Sequence, residues 1–305
     1  MSPVAEIRLI AVRELTRSVR SVKGIAVAAI TLLGAIATSF LVVFMQNADV
    51  QKAGSTEALT ELHRQILEKQ TGDAALAAYL APMPEALSTF LDVTVWLGPL
   101  LVALLGFDLV AGELQSKSVR FWAVRSRRSS YFAGKLLGLW GLVGLVTLVL
   151  DLIVNVVAVA KGVVTGHELL VYAPRSWLVA FLIAGAWAAI ATFISSCFRQ
   201  PIVALLTTFG TFFVLWVLNA VGAALRVRDM MVSAAAAAAD APEGAPPPHL
   251  SMPAMHWYEY LYPNNYKALL LSPEGKSVVI GLMLVLAYVV VSIAAGSVLF
   301  RKRDI

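Results

Sequence analysis

Six stretches of the chain run apolar for about twenty residues or more, at 24–45, 89–109, 136–160, 177–198, 202–225 and 277–300, and charged or turn-forming segments separate them. A run of about 20 apolar residues is long enough for a helix to cross a hydrocarbon core about 30 Å thick. None of the runs alternates with period two, as strands of a membrane barrel do. The pattern predicts an all-α, polytopic membrane protein with six transmembrane helices in a single domain over 1–305. Ahead of the first run, EIRLIAVRELTRSVRS puts Ile7, Ile10, Val12 (or Ala11), Leu15 and Val19 on one side at helical spacing, with arginines filling much of the rest. That is the pattern of an amphipathic helix, within 1–23, lying at a membrane surface.

The intervening segments differ in kind. In 46–88, Leu59, Leu62, Ile66 and Leu67 repeat with a period near 3.6, predicting one or two short helices packed on a membrane face. Segment 161–176 reads as a short loop, and Arg199-Gln200-Pro201 as a tight turn with proline suited to open the next helix. Loop 226–276 begins with the Ala/Pro-rich SAAAAAADAPEGAPPPHL, of low complexity and expected to be mobile. Its second half, SMPAMHWYEYLYPNNYKALLLSP, is aromatic, as interfacial segments are.

Composition sharpens this picture. The chain has 305 residues, 59% hydrophobic and 14% charged, against about 25% charged in a globular domain. The single cysteine, Cys197, excludes an intramolecular disulfide. The first apolar run exceeds the usual signal-peptide core of about 7–15 residues and reads as an uncleaved anchor. Fifteen of the 24 basic residues crowd into the short segments 1–23, 110–135, 199–201 and 301–305. By the bias of Lys and Arg toward the inside, those segments and both termini are expected to be cytoplasmic, in a bacterial inner membrane. The segments 46–88 and 226–276 are then outer loops.

The densest of these segments is GFDLVAGELQSKSVRFWAVRSRRSSYFAGK, residues 106–135, with two acids, six basic residues and a Phe121-Trp122 pair. A loop that only returns the chain has no use for such a pair. An apolar knob ringed by charge suits docking, where aromatic anchors carry affinity and the charged rim sets register. An interfacial helix with its aromatics in the headgroups and its arginines on anionic lipid fits the same residues.

Catalytic signatures are missing. Glu274-Gly275-Lys276-Ser277 contains the end of a phosphate-binding loop, but Leu270 stands where its first glycine belongs. The four histidines form no HExxH, and no GxSxG is visible. Met230, Met231, His249, Met252, Met255 and His256 offer soft ligands in a segment too Ala/Pro-rich to suggest an ordered metal site. Inside the third run, Asp151 has Asn155 one turn away. An acid within the membrane is costly; the pair reads either as a hydrogen-bonding contact between helices or as part of a translocation path. Gly134, Gly138, Gly141 and Gly144 mark close helix packing.

The order Asp108, Gly112-Glu113, Ser126-Arg127-Arg128, Gly134-Lys135 resembles the segment between the second and third helices of ABC-2 type permeases, the membrane subunits of ABC exporters. Arg13-Glu14-Leu15 in a basic N-terminal helix and the terminal FRKRDI are similar to the ends of that family. The Gly-Thr that usually follows the glutamate is Ser116-Lys117 here, and the proline before the basic pair is missing. The resemblance implies that 110–135 is a cytoplasmic coupling segment seated on a separate ATPase subunit. Phe121 and Trp122 would fill that subunit's groove, while Asp108, Glu113, Arg127, Arg128 and Lys135 stabilise the bend from helix to loop. It implies no cofactor on this chain, with ATP and magnesium on two partner ATPase subunits. It also implies a second permease, either another copy or a paralogue, and no nucleic acid.

Overall fold

The computed structural model describes residues 2–53, 56–71, 74–119, 121, 126–162, 164–239 and 253–301. Those residues are helical and turn segments, with no strand among them. Helix α1 (Pro3–Arg20) is opened by the Ser2 hydroxyl, which accepts from the Ala5 N–H, and has Pro3 in its first turn. The chain turns sharply at Ser21 into α2 (Val22–Ala53). A Cβ at Gly24 would lie 1.9 Å from the Ser18 carbonyl oxygen, so only glycine fits this bend. Beyond α2 come α3 (Thr56–Thr71) and α4 (Ala74–Leu80). Leu62 and Ile66 of α3 remain exposed rather than packed.

The next elements are α5 (Glu85–Gly106), the one-turn α6 (Ala111–Gln115), α7 (Arg128–Ala160), α8 (Gly166–Cys197) and α9 (Pro201–Ala239). Two short 3-10 turns, at Trp257–Leu261 and Pro263–Asn265, lead into α10 (Tyr266–Leu271), and α11 (Gly275–Arg301) follows. Six of these segments are long and apolar enough to cross a membrane: α2, α5 with α6, α7, α8, α9 and α11.

Central to the bundle is α8, whose stretch Ala186–Ala189 is fully buried, with α5, α7 and α11 packed around it. Small residues let those neighbours approach, while α2, α9 and α11 leave most of their surface facing outward, as lipid-facing helices do. α1 lies against the first turns of α7. Here Gly134 and Gly138 are required: a Cβ on either would come within 2.7–2.8 Å of Ile10 or Glu14. Gly144 admits the Phe181 ring in the same way, whereas Gly141 faces open space.

Several helices run past the expected boundaries. α7 begins at Arg128, and α8 at Gly166, where Thr165 and Glu168 form a reciprocal capping box. Most of the expected 161–176 loop is therefore helix. α9 continues to Ala239 through the alanine run, because alanine is the best helix former; the rest of the low-complexity stretch, 240–252, lies outside the described residues.

The larger departure is the aromatic half of the 226–276 segment, which dips back into the bundle instead of resting at its surface. Asn264 accepts from Trp187 Nε1 at 2.8 Å and donates to the Val95 carbonyl at 3.0 Å. Tyr288, at the midpoint of α11, donates to the Leu261 carbonyl at 2.8 Å. Trp187 and Val95 both lie inside transmembrane stretches, Gly166–Cys197 and Leu87–Gln115, so the 3-10 turns reach in among the spanning helices. Such backbone survives there only when buried in protein; Tyr288, Asn265 and Tyr266 donate to the Leu261, Glu259 and Tyr260 carbonyls of the turn.

Candidate functional site: a buried charge node between α1, α6 and α7

The face that carries α1 gathers most of the predicted coupling residues. α5 ends at Gly106, and residues 107–110 break from it before α6. This break exposes backbone groups, and Ser195 of α8 meets three of them. Its hydroxyl accepts from the Val110 and Ala111 N–H groups, each at 3.1 Å, and donates to the Phe107 carbonyl at 2.8 Å. Beside the break, Lys23 donates to Asp108 and to the Leu105 carbonyl, with its ammonium 4.4 Å from the Phe107 ring centre.

One helical turn further on, Glu113 points inward. Lys135 reaches its Oε1 at 2.6 Å and Glu14 Oε2 at 2.5 Å, while the Tyr131 hydroxyl donates to Glu113 Oε2 at 2.6 Å. Arg17 closes the group from the rim, 3.1 Å from Glu113 Oε1. Glu14, Glu113, Lys135 and Tyr131 are all buried; Arg17 is exposed. Two carboxylates face two cations, so the node is neutral in sum, as a buried ionic cluster must be to persist. A small apolar cluster of Ile10, Val110, Val119 and Tyr131, with Leu114, seals it. Three elements distant in sequence, α1, α6 and α7, thus meet at one lysine.

The segment leaving this node turns outward. Lys117 adopts φ 58°, a left-handed conformation that ends the α6 turn, and Phe121 is 74% exposed. Arg127 donates its backbone N–H to Glu6 of α1, and Arg128 opens α7. Within the expected coupling segment, 110–135, Trp122 with residues 120 and 123–125 lies outside the described residues. Of the residues singled out in the sequence, the structure therefore brings Glu113 and Lys135 together and places Asp108 with Lys23, while Phe121 stands apart at the surface. Glu14, Arg17, Lys23 and Ser195 complete the arrangement. The first three carried a sequence signal, as charges on or next to an amphipathic helix; Ser195 carried none.

On the opposite half of α7, Asp151 and Asn155 are buried side by side and line a cleft of about 550 Å³ between the ends of α7 and α8. Lys135 and Asp151 are 16 residues apart, about 24 Å along the helix, so the pair sits toward the far end of the span. Among the described residues, no three of His, Cys, Asp or Glu come together as a metal would require.

Six helices long and apolar enough to span a membrane, behind an amphipathic first helix, indicate a multi-pass membrane protein. The family model described as ABC-2 family transporter protein matches residues 8–305, and the chain belongs to that family. It is thus a membrane permease component of an ABC transporter. A comparison with curated proteins gave no match.

Proposed function

We propose that this chain couples ATP hydrolysis on separate cytoplasmic ATPase subunits to movement of its own helices, driving export or transmitting force across the membrane. The observation that carries this reading is the Glu14–Lys135–Glu113 node. It fastens α6, from which the chain runs on to Phe121, to α1 and to the start of α7, so a push on Phe121 would reach a spanning helix through buried ionic contacts. In this reading the α1 face is cytoplasmic, Phe121 and Trp122 are the anchors in the partner's groove, and Arg127 and Arg128 form the rim. Two ATPase subunits, carrying ATP and magnesium, would serve two permeases, here two copies of this chain or one with a paralogue. Asp151 and Asn155 belong to the translocation path.

The test is purification of the tagged chain from its native membrane in mild detergent, with mass spectrometry of what accompanies it. An ATPase of the ABC type should co-purify with wild type and be lost from Phe121→Ala/Trp122→Ala, which leaves the node intact. A well-expressed, folded wild-type chain that brings no ATPase would sink the proposal.

A further inference from the structure

Most other acids described on the spanning segments have a cation beside them: Asp92 has Lys267, Asp108 has Lys23, Glu113 has Lys135 and Arg17, and Asp229 has Arg228, while Glu168 caps the first turn of its helix through Thr165. Among the described residues Asp151 has none. Its one polar companion is Asn155, one turn on along the same helix, and both residues are only 4% exposed. One oxygen on each, Asp151 Oδ1 and Asn155 Oδ1, remains buried with no donor in reach. The remaining polar side-chain group of the lining is the indole of Trp177, and its N–H is already donated to the Gly144 carbonyl. The site thus offers two unpartnered acceptor oxygens and no cation.

Everything else around that pair is apolar. The cleft opens sideways between the ends of α7 and α8, past the exposed side chains of Leu152, Val156 and Leu170. At about 550 Å³ it falls within the range of small-molecule sites, about 300–1,000 Å³. With the Lys135 node at one boundary and a core about 30 Å thick, the pair lies inside the hydrocarbon, about 6 Å short of the other boundary.

We propose that this cleft binds a cationic amphiphile: a protonated primary amine that donates to Asp151 and Asn155, with an apolar body lying along α7 and α8. An ammonium supplies three donors, and the charge that the site lacks. A neutral alcohol supplies one donor and no charge, and a carboxylate would be repelled. The lateral opening lets such a molecule enter from the leaflet without crossing water. As a transport substrate this class rests on the permease reading above; as a ligand it does not.

The experiment uses the full chain in nanodiscs of phosphatidylcholine, a zwitterionic lipid, with no ATPase present. Dodecylamine, dodecanol and dodecanoate are titrated, and binding is read by the shift in thermal unfolding and by native mass spectrometry. Wild type should bind dodecylamine saturably, at least about tenfold tighter than dodecanol, with no dodecanoate bound. Asp151→Asn should weaken the amine about tenfold or more, since it removes one partner of a desolvated charge pair, and leave dodecanol unchanged. Asp151→Glu should retain amine binding. If Asp151→Asn unfolds, Asn155→Leu provides the second reading, with a loss of several-fold for the amine alone. Equal binding of amine and alcohol, unchanged affinity in both variants, or no saturable binding by wild type overturns the proposal. Since the assay contains no ATPase, that failure leaves the coupling reading standing, and a failed pull-down leaves this one standing.

Discussion

The ammonium of Lys135 lies between the carboxylates of Glu14 and Glu113, with its side chain 2% exposed. In so dry a position the sum of charges matters more than any single contact. Removing one member of a buried ionic group typically costs about 3–5 kcal/mol, whereas replacing the whole group with apolar side chains is often neutral. Lys135→Met should therefore lower the unfolding midpoint sharply in detergent, because it strands the Glu14 carboxylate and leaves Glu113 with the rim Arg17 and the Tyr131 hydroxyl. The triple substitution Glu14→Met/Glu113→Met/Lys135→Met should recover much of that stability. If the node relays force, the triple variant will fold and bind its partner yet fail to transport. Transport at the wild-type rate would mean that the node serves stability alone. Asn264 gives a second residue-scale expectation: Asn264→Ala leaves the buried Trp187 N–H without its acceptor. A loss of about 1–3 kcal/mol should follow, read as a lower midpoint.

At the scale of elements, α1 is held to α7 by the absence of side chains as much as by their presence. Gly138→Leu would drive a side chain into Glu14, and Gly134→Leu would drive one into Ile10. Overpacking of this kind costs about 1–3 kcal/mol, and lifting α1 relieves it. In a Cys197→Ser background, a cysteine at Ile10 should resist maleimide in the otherwise native chain and react once Gly138→Leu is added. Continued protection would show that α1 stays docked. The apolar periodicity of α1 gave a face for a membrane surface, and part of that face meets protein, with Ala11 and Leu15 half-buried. Val12 and Val19 are exposed, and the buried positions are Ile10 and Glu14. Periodicity identifies which residues share a face but not which face meets protein rather than lipid, since both solvents are apolar.

For the whole molecule, the six spans were legible in the sequence because bilayer thickness sets a length that composition can report. Helix ends were not: beyond the lipid, capping groups such as Thr165 and Glu168 set them, or simple propensity, as in the alanine run. Nor was the dip of the 256–271 segment legible, because aromatic residues suit an interface and a protein interior equally well. Sequence signalled Glu113 and Lys135 as charges flanking one segment; their joining through Glu14 crosses 121 positions and needed the fold. The expected orientation has a direct check in intact cells. With Cys197 replaced by Ser, a cysteine at Lys117 should be shielded from a membrane-impermeant maleimide, and one at Met231 should be labelled from outside. The reverse pattern would invert the topology.

The length of α9 has a mechanical consequence. Its 39 residues make a rod about 58 Å long, nearly twice the thickness of the hydrocarbon core. A rod pivoting at Pro201 is a lever: a tilt of about 10° sweeps its far tip through about 10 Å, while its foot scarcely moves. Rearrangement too small to open a wide passage would still be felt well outside the membrane, by whatever touches the tip at Ala239.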